Sequence, residues 1–366
     1  MIFLGEKADL LIKKFMVLFL LLTISAAGYC GFFVKWAFRE DSPRMGFTAM
    51  IEMTAVRPFV HRQLLPQTAK AIASVVPDHT KERLSERLTK DPSIEKRYAQ
   101  AQIPRQYIIE YYVLYIICFL GFFAAVCVLR SLLCEIVEDK VAGTLGAMFF
   151  ALIFPFFEVL GGYFYDIYEV LFMFLAARFA LHGKWWAVLV LAPIATSNKE
   201  SFFFFLATFF PLTCRHHGFK KSAIITLGTV FVAGLTYLYI RQMFAGNPGG
   251  MADWRIKDHL EIMFNPMAYF KTSSIYGLPM GSGMFLPHMI CVLWIARRAW
   301  GHLSEAWKNH AKIALLINGV LYFMFVLPDE IRDLSMLYVT FMVLVTFYIR
   351  DVVRGDGADV ATKKIQ

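Results

Sequence analysis

Long apolar stretches alternate with short polar ones from one end of this chain to the other. The first runs from about 15 to 36, and stretches long enough to cross a bilayer recur through the rest of the sequence. The others cover about 107–129, 141–157, 166–181, 185–197, 200–214, 222–241, 284–297, 312–327 and 335–349. This pattern predicts an all-α, polytopic membrane protein of about ten transmembrane helices, with residues 1–366 forming a single membrane domain.

Composition supports this interpretation. Of the 366 residues, 58% are hydrophobic and 18% are charged, whereas a soluble globular chain has about 45–50% and about 25%. A disordered protein, a collagen-like fibre and an ordinary soluble enzyme are therefore excluded. The net charge of +9 would indicate nucleic-acid binding only if the basic residues gathered on one soluble face. They lie between the apolar stretches instead, so we expect membrane lipid and no nucleic acid as a partner.

The distribution of basic residues predicts the orientation in the membrane. Lys7, Lys13 and Lys14 precede the first stretch, which places the N-terminus in the cytoplasm by the positive-inside rule. Alternation then puts both termini inside a multi-pass membrane protein. It makes 37–106 a long extracytoplasmic loop with amphipathic helices, and 242–283 a second outer loop to which the sequence assigns no role.

One pair of spans has an alternative. Residues 185–214 could form one long helix that buries Lys199 and Glu200 without partners, at a cost of several kcal/mol. That helix would also reverse every later loop and place many basic residues outside. Two short helices that meet at Lys199 and Glu200 fit better, and Pro193 nearby favours a break.

The long first loop carries the first group of candidate site residues. It opens with Arg39-Glu40-Asp41, so a carboxylate is held at the membrane surface, although this triplet could simply be a solvated helix end. The loop continues with the run from Arg57 to Pro66, in which Arg57, His61 and Arg62 could contact a phosphate-bearing substrate or merely lipid head groups. Apolar residues at helical spacing from Leu64 to Val76 predict an interfacial helix.

Short outer turns carry the second group. A turn between membrane helices has no structural need for charge, so these groups are functional candidates. They are Glu158, Asp166, Lys199, Glu200 and Arg332. Simpler roles remain open for some of them: Asp166 could cap the following helix, and Lys199 with Glu200 could form a surface ion pair.

Other chemistries lack a signal. The six Cys and nine His residues show no metal-ligand spacing, so no metal ligand is predicted. The chain has no phosphate-binding glycine loop, nucleophile elbow or zinc-protease motif.

The arrangement resembles the GT-C superfamily of polytopic membrane glycosyltransferases. The matching features are the carboxylate after the first span, the run Arg57-Pro58-Phe59-Val60-His61-Arg62-Gln63-Leu64-Leu65-Pro66, Tyr165-Asp166 and Asn198-Lys199-Glu200-Ser201. The resemblance implies a glycosyltransferase that uses a polyprenyl-phosphate-linked sugar donor and a glycan or lipid acceptor in cell-surface glycan or glycolipid assembly. It also implies a location in the bacterial inner (plasma) membrane.

The resemblance also implies catalytic roles. Asp41, or Glu40 beside it, would act as general base on the acceptor hydroxyl, while Lys199, Arg332 or Arg57 stabilise the leaving phosphate. The long loop has no clear Asp-x-Asp pair, so the cofactor stays unknown, and a divalent cation such as Mg²⁺ or Mn²⁺ remains open. Two other classes compete: a transporter or flippase of a lipid-linked or anionic solute, and a non-catalytic membrane assembly partner.

Overall fold

The computed structural model describes residues 2–39, 42, 44–90, 104–159, 161–250, 253–275 and 278–355. The helices are α1 Ile2–Trp36, α2 Phe47–Ile51, α3 Leu64–Ser74, α4 Asp78–Lys90, α5 Ile108–Val137, α6 Lys140–Phe157, α7 Phe164–Leu181, α8 Trp185–Asn198, α9 Ser201–Phe205, α10 Phe210–Met243, α11 Ile256–Met263, α12 Leu286–Ala299, α13 Glu305–Phe325 and α14 Tyr338–Arg354. One short antiparallel hairpin, β1 Thr272–Ile275 and β2 Leu278–Gly281, is the only strand pair in these ranges.

The helical, membrane-type architecture predicted from the sequence is confirmed. Five helical segments in the described ranges are long and apolar enough to cross a bilayer. They are Leu11–Trp36, Arg105–Val137, Lys140–Phe157, Ser201–Met243 and Ile331–Arg354. Most of the other helices lie close to the predicted apolar stretches but are shorter or more polar.

The core forms where α5 packs against α6 and α7, with α1 and α14 against α6. Phe122, Phe150 and Phe154 are fully buried there, and their rings interlock at centroid distances of 5.2–6.4 Å. The helices α1 and α6 cross so closely that a Cβ atom on Gly28 would lie 2.1 Å from the carbonyl oxygen of Ala151. Only glycine allows this approach.

Successive helices run back and forth between the two ends of the bundle. At one end, Asp166 and Glu169 near the start of α7 contact the side chains of Lys199, Arg332 and Ser335. We call this the polar end. At the other, the basic end, the ring nitrogen Nε2 of His216 lies 2.8 Å from the carbonyl oxygen of Leu181. There α10 reverses direction at Gly218, whose φ of +70° is available to glycine at little cost.

The break in the doubtful pair of spans is confirmed at Lys199 and Glu200, but Pro193 does not cause it. Pro193 lies inside a continuous α8, and the chain turns at Lys199, which adopts an extended conformation with φ −158° and ψ 133°. The alternative of one long helix over residues 185–214 is therefore wrong. The turn is fixed by the contacts of its polar residues rather than by the proline.

The helix α3 also differs from its predicted interfacial role. Leu65, Ala69 and Ala73 on its apolar face are buried, because this face packs against α5 and, to a smaller extent, α8. The apolar pattern of α3 thus serves contacts within the protein, and only Ile72 and Val75 at its end are exposed.

Candidate functional site: a buried charge cluster

The N-terminus of α7 holds the first part of the site. Asp166 accepts a hydrogen bond from the backbone N–H of Tyr163 at 3.0 Å, which caps the helix. The same carboxylate also accepts from Lys199 at 2.9 Å and from Arg332 at 3.0 Å. Asp166 is therefore both the helix cap that the sequence allowed and the centre of an ion network.

Lys199 lies inside a cage of three carboxylates. Its ammonium donates to Asp166, to Glu169 at 2.7 Å and to Asp333 at 3.2 Å. Glu169 in turn accepts hydrogen bonds from the hydroxyls of Ser201 and Ser335. Lys199 is thus paired with buried partners rather than with Glu200 on a surface.

Glu200 binds Arg62 instead. The guanidinium donates through Nη2 to Oε1 at 2.6 Å and through Nε to Oε2 at 3.2 Å, a two-pronged pair. It also donates to the hydroxyl of Tyr165. Burial opposes the charges of both partners, but the mutual attraction prevails: the Glu200 carboxylate raises the pKa of Arg62 well above its usual range, and Arg62 lowers the pKa of Glu200.

Two stacked tyrosines contact cations from both parts of the network, the Arg62–Glu200 pair and the Asp166–Arg332 pair. The rings of Tyr163 and Tyr165 lie 5.0 Å apart and nearly parallel. The guanidinium of Arg62 lies 4.5 Å above the ring of Tyr165, and that of Arg332 lies 5.0 Å from the ring of Tyr163. Cations on ring faces are stabilised by the quadrupole of the ring, so this stack fixes the positions of both arginines.

We call this group the charge cluster. It contains three cations and six carboxylates, all of them buried or half-buried: Arg62, Glu158, Asp166, Glu169, Lys199, Glu200, Glu330, Arg332 and Asp333. Acids therefore outnumber bases in a site largely shielded from water, and such a site favours holding a proton on one of its carboxyls.

Glu158 is the carboxyl best suited to hold that proton. It is 1% exposed, and its Oε2 has no hydrogen-bond partner among the described residues. Burial, and then the neighbouring Asp166, raise the pKa of Glu158 well above its usual range. Arg332 Nε is likewise buried without a partner in the described part of the chain. The cluster thus offers one unused acceptor and one unused cationic donor, which are expected where a ligand or water binds.

The end of the first helix is tied to this cluster. Lys35 Nζ and Trp36 Nε1 donate to the carbonyl oxygen of Glu158 at 3.0 and 2.8 Å. The guanidinium of Arg39 lies 5.4 Å from the ring of Tyr163. The chain segment that leads into the predicted general base therefore begins beside the charge cluster.

The structure brings together most of the predicted site residues. Arg62, Glu158, Asp166, Lys199, Glu200 and Arg332 all belong to the charge cluster. Glu40 and Asp41 lie outside the described residues.

Two other predicted residues do not join the ion network directly. Arg57 donates to the carbonyl oxygen of Gly249 at 2.7 Å. His61 lies beside the rings of Tyr237 and Phe244, and burial lowers its pKa.

The site includes residues that were not predicted as site residues. Glu169 and Asp333 complete the cage around Lys199, and Tyr163 and Tyr165 form the stack. A signal existed for Glu169, which follows Asp166 by three residues and so shares its helical face. Tyr165 was marked only as part of the Tyr165-Asp166 match to the family that the chain resembles, and no sequence signal marks Tyr163.

A metal site is not supported by the donor set. Within the described ranges, no group of three or more His, Cys, Asp or Glu side chains is arranged to hold a metal ion, and several carboxylates of the cluster already bind cationic side chains.

Models of known protein families, curated proteins and solved structures were all compared with this chain, and none of them matches it.

Proposed function

We propose that this chain is a membrane glycosyltransferase that uses a polyprenyl-phosphate-linked sugar donor in the assembly of a cell-surface glycan or glycolipid. The observation that carries the proposal is the attachment of the first helix to the charge cluster through the carbonyl oxygen of Glu158. It brings Arg39, the residue before Glu40 and Asp41, next to a buried site with an unused cationic donor.

The proposed reaction is an inverting transfer. Asp41, or Glu40 beside it, takes the proton of the acceptor hydroxyl as the hydroxyl oxygen attacks the anomeric carbon of the sugar. The bond from that carbon to the phosphate oxygen breaks, and the lipid phosphate leaves with the electron pair. A positioned carboxylate base accelerates such a step by about 10²–10⁴-fold.

The cations of the cluster then have different roles. Lys199 is held by three carboxylates, so we assign it to positioning rather than to phosphate binding. Arg332 has a free Nε, which can donate to the leaving phosphate as negative charge develops on it. Arg62 holds Tyr165 and Glu200 in position through its hydrogen bonds.

The proposal includes the topology. We propose that the shorter helices α7, α8, α12 and α13 cross the membrane with the five longer segments, and that Ser201–Met243 crosses twice because it is broken at Gly218. This gives about ten spans with both termini cytoplasmic and the polar end outside. Support comes from the turns, which alternate between the polar end and the basic end along the chain.

The test measures consumption of donor. The protein in lipid nanodiscs is incubated with radiolabelled undecaprenyl-phosphate glucose, mannose or galactose and an extract of host lipids and glycans, and the released undecaprenyl phosphate is measured. Asp41→Asn should reduce turnover by about 10²–10⁴-fold. The control is Asp78→Asn, which changes an exposed carboxylate of the same loop and should leave turnover unchanged.

Two outcomes would contradict the proposal. Full turnover by Asp41→Asn would exclude the general-base role of this residue. If the chain consumes none of the donors but moves them across the bilayer of proteoliposomes, it is a flippase and the transferase proposal fails.

A further inference from the structure

The segment 254–270, between α10 and α12, has an unusual surface. It belongs to the second outer loop of the sequence analysis and includes α11 and a 3₁₀ turn, Pro266–Phe270. Its large apolar side chains are strongly exposed: Phe264 by 83% and Met267 by 76%, together with Trp254, Leu260, Met263 and Phe270. Such a concentration of exposed apolar surface marks an interaction site.

Three of these side chains lie together on one face at the end of α11, whereas Trp254 packs against Phe325 with ring centroids 5.1 Å apart. In α11, Leu260, Met263 and Phe264 follow the spacing of three and four residues that places them side by side on a helix. The polar residues Lys257 and Glu261 form an exposed ion pair of 3.6 Å beside this face. The helix is therefore amphipathic, with its apolar face turned away from the protein.

The opposite face attaches the segment to the polar end of the bundle. His259 is buried, and its Nε2 lies 2.9 Å from the carbonyl oxygen of Val326. The backbone N–H of Arg255 donates to the carbonyl oxygen of Met324 at 2.8 Å. Asp258 and Glu261 line an open cleft of about 260 Å³ against residues 327–329. The orientation of α11 is thus fixed by contacts, and its apolar face cannot turn inward.

The helices on either side of the segment in the chain also expose large apolar side chains. The helix α10, which precedes the segment, is part of a membrane-spanning segment and exposes Phe231, Leu235 and Leu238. The helix α12, which follows, exposes Ile290 and Leu293. The lipid that covers these helices is therefore the natural occupant of the apolar face of 254–270.

We infer that residues 254–270 form an interfacial docking element that inserts its apolar face into the same bilayer, with Lys257 near the lipid phosphates. An amphipathic helix with this distribution lies in the plane of the interface with its apolar side among the acyl chains. A lysine beside the apolar face can extend its ammonium toward the head groups.

The element is also coupled to the charge cluster. Lys271, the next residue, donates to Asp329 at 2.8 Å, and Asp329 lies in the turn that leads to Arg332 and Asp333. Gly283 has a φ of +59°, and a Cβ atom there would lie 2.0 Å from Oδ1 of Asp329. The bilayer therefore supports the turn that carries two residues of the cluster.

The test locates the element relative to lipid. In a variant in which the six native cysteines are replaced by alanine, Phe264→Cys is labelled with the fluorophore NBD and reconstituted in nanodiscs of phosphatidylethanolamine and phosphatidylglycerol. Doxyl-labelled lipid should quench the label several-fold more than aqueous iodide. The matched control is Glu261→Cys on the polar face, for which iodide should quench more.

Equal iodide quenching at the two positions would overturn the inference. So would a label at position 264 that is shielded from both quenchers, because this would show a protein partner or a second copy. A second measurement uses the unmodified chain, in which a photoactivatable phospholipid should label peptides from 254–270. Absence of that labelling, while α10 is labelled, would also overturn the inference. Neither measurement depends on transferase activity.

Discussion

The two ends of the helical bundle both carry ion pairs, but among the described residues the pairs with nearly inaccessible cations lie at the polar end. At the basic end, Arg354 donates to Asp139 at 2.7 Å, and its side chain is 51% exposed. At the polar end, Lys199 reaches three carboxylates and is almost inaccessible. Exposed pairs contribute little because water and salt screen them, whereas a buried charge without its partner is very costly. Burial, rather than the presence of charge, therefore distinguishes the candidate site.

The largest effect should come from removing the central cation. Lys199→Met leaves Asp166, Glu169 and Asp333 without their shared partner, so we expect a loss of about 3–5 kcal/mol in the free energy of unfolding. Denaturant unfolding in detergent micelles measures it. The matched variant at the basic end, Arg354→Met, should lose less than about 1 kcal/mol. Equal losses at the two ends would refute the distinction between them.

A smaller effect is expected when charge is kept but geometry is lost. Arg62→Lys removes the two-pronged contact with Glu200 and the hydrogen bond to Tyr165, which should cost about 1.5–3 kcal/mol. Burial raises the pKa of Glu200, but Arg62 outweighs it and lowers the pKa below its usual range. The pair therefore stabilises the fold above the usual glutamate pKa of about 4.3 and is lost as the pH falls through the lowered pKa.

The pH profile checks this assignment. A weaker partner lowers the pKa of Glu200 less, so Glu200 should contribute a smaller acid-induced loss of stability in Arg62→Lys, and that loss should end at a higher pH than in the wild type. Melting temperatures measured between neutral and acid pH would show the shift. If the variant and the wild type lose stability over the same acid pH range and by the same amount, Arg62 does not set the protonation of Glu200.

The smallest effect, and one of opposite sign, is expected at Glu158. Its raised pKa means that the native state favours the protonated carboxyl, so the stability that it contributes falls as the pH rises through that pKa. Glu158→Gln keeps the neutral shape and has no proton to lose. We expect a change of about 0.5–1 kcal/mol or less at pH 5 and a relative gain for the variant as the pH rises.

Melting temperatures across this pH range test the prediction for Glu158. Glu200→Gln is the contrasting variant, because it removes a paired carboxylate and should destabilise at neutral pH. If Glu158→Gln lowers stability as much as Lys199→Met does, Glu158 is an ionised member of the network, and our view of it as the proton-holding carboxyl is wrong.

The sequence was a good guide to the helices and a partial guide to the site. Helix positions follow from the length of each apolar stretch, which is a local property. The site depends on contacts between distant residues, such as Asp166 with Arg332, which lie 166 positions apart. Charged residues on short turns could be recognised one turn at a time, but their pairing could not. The sequence therefore suggested Lys199 as a phosphate ligand, while the structure shows it enclosed by carboxylates.

The amphipathic helices show a second reason for the difference. Both α3 and α11 have an apolar face, and the sequence alone indicated an interfacial role only for α3. In the structure α3 covers α5, whereas α11 turns its apolar face outward. Periodicity shows that a face must be covered, but it does not show whether protein or lipid covers it.

The glycine crossing of α1 and α6 has a consequence for the site. Gly28 lies about two turns before the end of α1, within the apolar part of the helix and far from any charged side chain of the cluster. Because the backbone of α6 is its immediate neighbour, even one added methyl group would force the two helices apart. The hydrogen bonds that Lys35 and Trp36 donate to the carbonyl oxygen of Glu158 would then be stretched. A position with no polar chemistry of its own thus sets how the end of α1 meets the turn that carries Glu158.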